Sequence, residues 1–329
     1  VFYSWDYAER TKASADQDFV ESLEKTYAKL PTKDMFFKNR MWFQVMKAKF
    51  YSDNQPALID FFEQTADSQP KNTVYMRAVG YLAGTYYNLK EFDKSNFYFA
   101  TLFNDYPQLR HQALYNFRPM DEAQLAKSLS LTEDKAIQAS IWAINGYYTH
   151  VSKSLKEIVA LDPNSPHVNF LLTRWVNMQE DGTEENMLKQ FQVSDSSAID
   201  RTTLQWISEL PQQVKNLNNP AMWNLASGYV HMLLGEHKAA EAAYQSVLNL
   251  PAANNTLVNA QARLFNLINQ VAQLQTLNKQ HEQALLKDMN WLFQEIDHDE
   301  ALRADLRSSY AKGWIKMKLA DVYKKGNKP

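Results

Sequence analysis

The sequence predicts an all-α chain built of stacked helix pairs, and three observations carry that prediction. Apolar residues recur at helical spacing along nearly the whole chain, and no convincing stretch alternates with the period of a strand. Two stretches, 73–107 and 221–251, carry a similar order of small and bulky residues over about 34 positions. Proline, glycine and Asp/Asn pairs fall between the apolar stretches, where helices must stop.

Taken in order, Phe19, Leu23 and Tyr27 mark a first helix that Pro31 ends. Trp42, Val45, Met46 and Phe50 mark a second, and Pro56 opens a third at the one position where its missing N–H is harmless. In 73–107, Leu82, Ala83 and Tyr86 share a face of one helix and Lys90 and Glu91 make the turn. Ser95, Phe99 and Leu102 share a face of the next helix, which Pro107 ends. The weaker stretch 108–132 breaks at Pro119. Thr132 with Asp134 opens the following helix, and Pro163 blocks its partner from running past 161–165. Helices over 166–179, 183–192 and 195–209 come next, with a polar turn at 180–182. In 221–251, Gly228 permits close approach, Gly235 turns the chain, Ala240 packs at the crossing, and Tyr244 and Leu248 fill the core. Three longer helices follow, over about 255–278, 280–296 and 298–325 by pattern alone.

The units 73–107 and 221–251 resemble the tetratricopeptide (TPR) family, and three more units resemble it weakly. Residues 98–117 and 158–177 are also similar to large TPR proteins of the Bacteroidota cell envelope. The resemblance implies an all-α, TPR-like right-handed helical-repeat solenoid of antiparallel helix pairs. Its first helices would line a concave groove for a peptide or partner protein. Residues 1–251 would form the repeats, and 252–329 would continue the solenoid with three longer helices and an incomplete last repeat. Arg77, Gly80, Gly84, Tyr87 and Asn88 would face the groove in one clear unit; Met222, Leu225, Tyr229, Met232 and Leu233 would in the other. TPR domains that clamp a C-terminal carboxylate use Lys and Asn at such sites. Here Gly84 and Tyr229 stand in the Asn place, so the surface implied is apolar and aromatic, suited to a docked helix or an intramolecular cover. Met and Tyr at helical spacing are core more often than groove.

Composition narrows function further. Lys and Arg number 35 against 37 Asp and Glu, a balance that calls for neither nucleic acid nor an anionic membrane. Cysteine is absent, which removes disulfides, thiol catalysis and Cys-ligated zinc. That absence fits an extracytoplasmic protein, and the resemblance implies a periplasmic or cell-envelope setting over the cytoplasm, in a larger membrane-associated assembly. No apolar run reaches the ~18 residues of a membrane span. The end of the chain is basic, with Arg307, Lys312, Lys316, Lys318, Lys324, Lys325 and Lys328 set against Asp321, and reads first as a solvated face and second as a docking patch for an acidic partner.

No nucleophile elbow, phosphate loop, dinucleotide fingerprint or H-E-x-x-H occurs, so no catalytic residue, cofactor or metal is assigned. His231 and His237 are spaced wrongly for ligands on one helix face, and the 297–300 acidic cluster reads as an N-cap. The expected activity is that of a non-enzymatic scaffold. A surface glycan-binding protein is the alternative, on account of the 8 tryptophans; Trp42, Trp142, Trp175, Trp206, Trp291 and Trp314 nevertheless sit among apolar helical neighbours. The chain begins at Val1 in an aromatic stretch around Trp5 and stops where a repeat's second helix is due. It therefore reads as a portion of something longer, with Trp314 and Tyr323 at an interface.

Overall fold

The computed structural model describes residues 15–180, 199–250, 256–306 and 308–326. Within them the backbone forms seventeen α-helices, short 3₁₀ turns and one π turn, with no strand. They fall into two units, Val1–Asp162 and Pro163–Pro329. The division lies inside the 161–165 stretch, where Pro163 cannot continue the preceding helix. Among the described residues no helix is long and apolar enough to cross a membrane.

The first unit comprises α1 (Gln17–Lys29), α2 (Met35–Phe50), α3 (Pro56–Thr65), α4 (Thr73–Asn88) and α5 (Phe92–Asp105). It continues with α6 (Arg110–Asn116), α7 (Glu122–Leu129), α8 (Lys135–Tyr148) and α9 (Val151–Leu161). Local chemistry starts these helices: Asp16, Asn72, Asp121 and Asp134 each accept a hydrogen bond from a free first-turn N–H, and Pro56 sits at the first turn of α3. All six positions read as core in 73–107 are buried: Leu82, Ala83, Tyr86, Ser95, Phe99 and Leu102. The stretch around Pro119 is irregular, and two buried asparagines satisfy its backbone. Asn96 accepts from the Arg118 N–H at 2.9 Å and donates to the Arg118 carbonyl at 2.6 Å. Asn145 accepts from the Met120 N–H at 2.8 Å. A buried peptide group without such a partner would cost about 1–3 kcal/mol.

The second unit comprises α10 (Pro166–Glu180), α11 (Arg201–Gln213), α12 (Pro220–Leu233) and α13 (His237–Leu248). It ends with α14 (Thr256–Ala272), α15 (Lys279–Asn290), α16 (Glu300–Asp305) and α17 (Ser308–Lys325). The expected helix 183–192 lies outside the described residues, as does the aromatic start around Trp5. Several expected boundaries move, among them the end of α14, which stops at Ala272 and not at 278. α11 begins at Arg201 with Asp200 as its cap, not at 195. The last expected helix, 298–325, is two helices, because Leu306 takes an extended conformation. The helix over 280–296 loosens into a π turn at Trp291–Glu295. Helices α12 to α17 share one core, filled by Tyr244, Leu267, Leu292 and Trp314. Here α10 packs on α12, α12 on α14, and α14 on α17.

The two clear repeats turn in the same way. Lys90 and Gly235, 145 positions apart, both have positive φ, 65° and 72°. In one turn the Glu91 N–H reaches the Tyr86 carbonyl and Lys90 reaches Tyr87; in the other Glu236 reaches His231 and Gly235 reaches Met232. Each pair of bonds is a Schellman cap, and a three-residue link of this kind reverses the chain into an antiparallel helix pair. Left-handed backbone strains any residue with a Cβ by about 1–2 kcal/mol. Replacing Lys90 with glycine should therefore stabilise the protein by up to about 1 kcal/mol, and Gly235→Ala should destabilise it by about 1 kcal/mol. Chemical denaturation of both variants checks the pair of signs.

Candidate functional site

The second unit contains a cavity of about 550 Å³, within the size range of ligand sites. Helical periodicity builds its walls. On α10, Leu172, Val176 and Glu180 stand at successive turns; on α12, Met222, Leu225 and Tyr229 do the same; on α14, Leu257, Gln261, Leu264 and Ile268 complete the surface. Asp305, Tyr310 and Ala311 close one side. The Tyr229 ring packs 4.9 Å from Phe265, which in turn lies 6.0 Å from the buried Tyr244.

The polar groups in this apolar setting are few. Glu180 and Asp305 supply two carboxylates, and among the described residues no Lys, Arg or His is in the lining. Burial pushes the Tyr229 phenol far above its ordinary range, and the neighbouring Glu180 carboxylate pushes it further. The phenol therefore stays protonated and donates to Glu180, holding that carboxylate against the wall.

The expected groove positions divide. Met222, Leu225 and Tyr229 line the cavity together. Met232 and Leu233 are buried instead, at 0 % and 1 % exposure, and the Met232 sulfur accepts the Tyr244 hydroxyl at 3.9 Å. In the first unit Arg77 is exposed with its guanidinium 5.6 Å from the Phe43 ring centroid. Tyr87 is exposed and meets the Phe92 ring edge-on at 5.3 Å, and Asn88 is exposed beside it. Gly84 lies beneath Phe50, where a Cβ would stand 2.9 Å from the ring. Trp314 is a core residue at 2 % exposure rather than an open end, because its side of α17 packs against α14 and the π turn. Tyr323 is half-buried and donates to Glu282 at 3.0 Å.

A polar chain joins α11 to the α12–α13 turn, and sequence reasoning missed it. Ser208 Oγ lies 3.4 Å from His231 Nε2, and His231 Nδ1 lies 2.6 Å from Glu236 Oε2. Arg201 donates to the same carboxylate at 2.8 Å. Serine, histidine and glutamate in this order invite comparison with an acyl-transfer triad. Ser208, however, sits inside α11, where the backbone N–H groups serve the helix and cannot cradle an oxyanion. Its hydroxyl also donates to the Leu204 carbonyl at 2.8 Å and meets Ser227 at 2.6 Å. The chain is a clamp between helices. Burial pushes the Glu236 carboxyl up, but hydrogen bonds from Arg201 and His231 outweigh it and hold the group below its usual range. A depressed carboxylate adds stability above its unfolded pKa and loses it as pH falls through the folded value. Melting temperature should accordingly drop as pH falls below about 4.5, and Glu236→Gln should flatten part of that drop in a pH series of thermal melts.

The acidic cluster at 297–300 is structural. Asp299 accepts from the Leu302 N–H at 3.0 Å as the cap of α16, and Asp297 receives Lys312 at 2.7 Å. Among the described residues no three His, Asp or Glu side chains are placed to hold a metal ion. No family model matches the chain, and neither a curated protein nor a solved structure matches it.

Proposed function

We propose that this chain is a TPR-like scaffold that holds a segment of a partner protein on the inner faces of α10, α12, α14 and α17. The cavity carries this reading: alternate helices of the second unit each turn an apolar stripe toward one hollow. The matching turns at Lys90 and Gly235 support a repeat architecture. A right-handed solenoid is the arrangement the resemblance implies for these pairs. The resemblance of 98–117 and 158–177 to envelope TPR proteins is what suggests an envelope or periplasmic setting in a larger assembly.

A photo-crosslinking amino acid at Met222, on the cavity wall, tests the proposal in the native host. It should give a discrete adduct with one partner, whereas the same group at exposed Glu241 on α13 should not. Identical adducts from both positions, or an adduct closed within the chain, would overturn it.

One observation favours glycan binding as a second reading. Phe43, Phe50, Tyr51 and Tyr81 cluster at centroid distances of 5.1–6.1 Å on the first unit, with Tyr51 42 % exposed. The described tryptophans do not add to it: Trp42, Trp175, Trp223, Trp291 and Trp314 are buried, and Trp142 and Trp206 are half-buried. Soluble polysaccharide that shifts Tyr51-dependent fluorescence would support this reading, and no shift would end it.

A further inference from the structure

We infer that the cavity selects a cationic amphipathic segment: a helix that puts apolar side chains into the hollow and a lysine or arginine beside them. This rests on the scaffold reading and adds the chemistry of the partner. The occupant is fixed by charge complementarity. Of the described charged residues that line the cavity, both are acidic, Glu180 and Asp305. The rest of the wall, from Leu172, Leu225, Leu264 and Phe265, offers only dispersion and burial. An anionic or acyl-carboxylate ligand would be repelled, and a neutral one would leave both carboxylates without an opposite charge. A basic side chain arriving with the apolar ones satisfies both carboxylates.

The geometry of Glu180 strengthens the assignment. It lines the cavity from α10, one turn beyond Val176. Tyr229, 8 % exposed, donates one hydrogen bond to it and fixes it in place. A carboxylate can accept several such bonds, which leaves capacity for an ammonium or guanidinium. Guanidinium, with its planar fork, is the better match to a held carboxylate.

The test uses the full chain and two fluorescent helical peptides of identical leucine pattern, one with lysine and one with glutamate at every polar site. The lysine peptide should bind at least about tenfold more tightly, a difference of about 1.4 kcal/mol, and its affinity should fall as salt rises. Glu180→Gln with Asp305→Asn should shrink the ratio below about threefold, while Glu241→Gln with Glu295→Gln, away from the cavity, should leave it unchanged. Tyr229→Phe should weaken the preference while keeping the apolar contribution. Equal binding of both peptides, abolished by Met222→Glu, would overturn the cationic selection and leave the scaffold reading standing. A preference that survives the double variant would overturn the assignment to these carboxylates. Binding that ignores Met222→Glu would remove the cavity as the seat and with it the scaffold reading; no binding of either peptide to the folded chain would overturn the inference.

Discussion

Replacing Trp42 with alanine should cost the first unit about 3–5 kcal/mol, the largest single effect expected in this chain. The side chain is fully buried at 0 % exposure. Its ring stacks on Tyr75 at 5.6 Å and 8° and lies 6.0 Å from Phe62, so it joins α2 to both α3 and α4. The indole N–H donates to Thr65 Oγ1 at 2.7 Å, and the alanine variant would lose that bond as well as leave a void. Trp42→Phe separates the two contributions. It keeps much of the apolar surface and should cost only about 1–2 kcal/mol, mostly for the lost indole hydrogen bond and the smaller ring. Denaturant titration followed by far-UV circular dichroism measures both. A loss below about 1 kcal/mol for the alanine variant would show that α2 does not pack on α3 and α4 in this way.

Local signals in the sequence were legible because local physics sets them. Pro56 at a helix start, Asp134 as a cap, and Gly235 in a left-handed turn follow from the backbone preferences of those residues. The buried face of α4 and α5 was legible because its six positions repeat with helical spacing. What could not be read was set by contacts between distant parts of the chain. Leu306 breaks the last helix although nothing near it is a helix breaker; burial of Leu302, Leu306 and Trp314 in one core decides it. The same core draws Trp314 inward, where spacing alone left it on an open end. For the cavity, the repeat register placed Met222, Leu225 and Tyr229 on one surface. Glu180 and Asp305 come from helices far along the chain, and no short motif joins them. The Ser208–His231–Glu236 clamp was invisible for the same reason, although His231 and Glu236 flank a predicted turn and could have been paired across it.

At the crossing of α12 and α13, packing and propensity oppose each other, and the structure decides the sign. Glycine inside a helix is worse than alanine by about 0.5–1 kcal/mol, so a glycine-to-alanine change should stabilise wherever there is room. Gly313 in α17 has nothing within 4 Å of the place a Cβ would occupy, and Gly313→Ala should gain up to about 1 kcal/mol. Gly228 is the opposite case. A Cβ there would lie 2.6 Å from the Tyr244 ring, closer than non-bonded carbons approach. Tyr244 cannot retreat: it is fully buried, with Phe265 6.0 Å away on one side and its hydroxyl on the Met232 sulfur. Overpacking of about 1–3 kcal/mol therefore exceeds the propensity gain, and Gly228→Ala should destabilise by about 1–2 kcal/mol. Ala240, also at 0 % exposure, faces the same pair of helices, and Ala240→Leu should cost about 1–3 kcal/mol. Because the two sites share Tyr244 and the α12–α13 contact, the double variant should fall short of the sum of its parts. Thermal melts of Gly228→Ala and Gly313→Ala side by side are the sharpest check. Opposite shifts in melting temperature support the close crossing, whereas two upward shifts would show that α12 and α13 stand further apart than this packing requires.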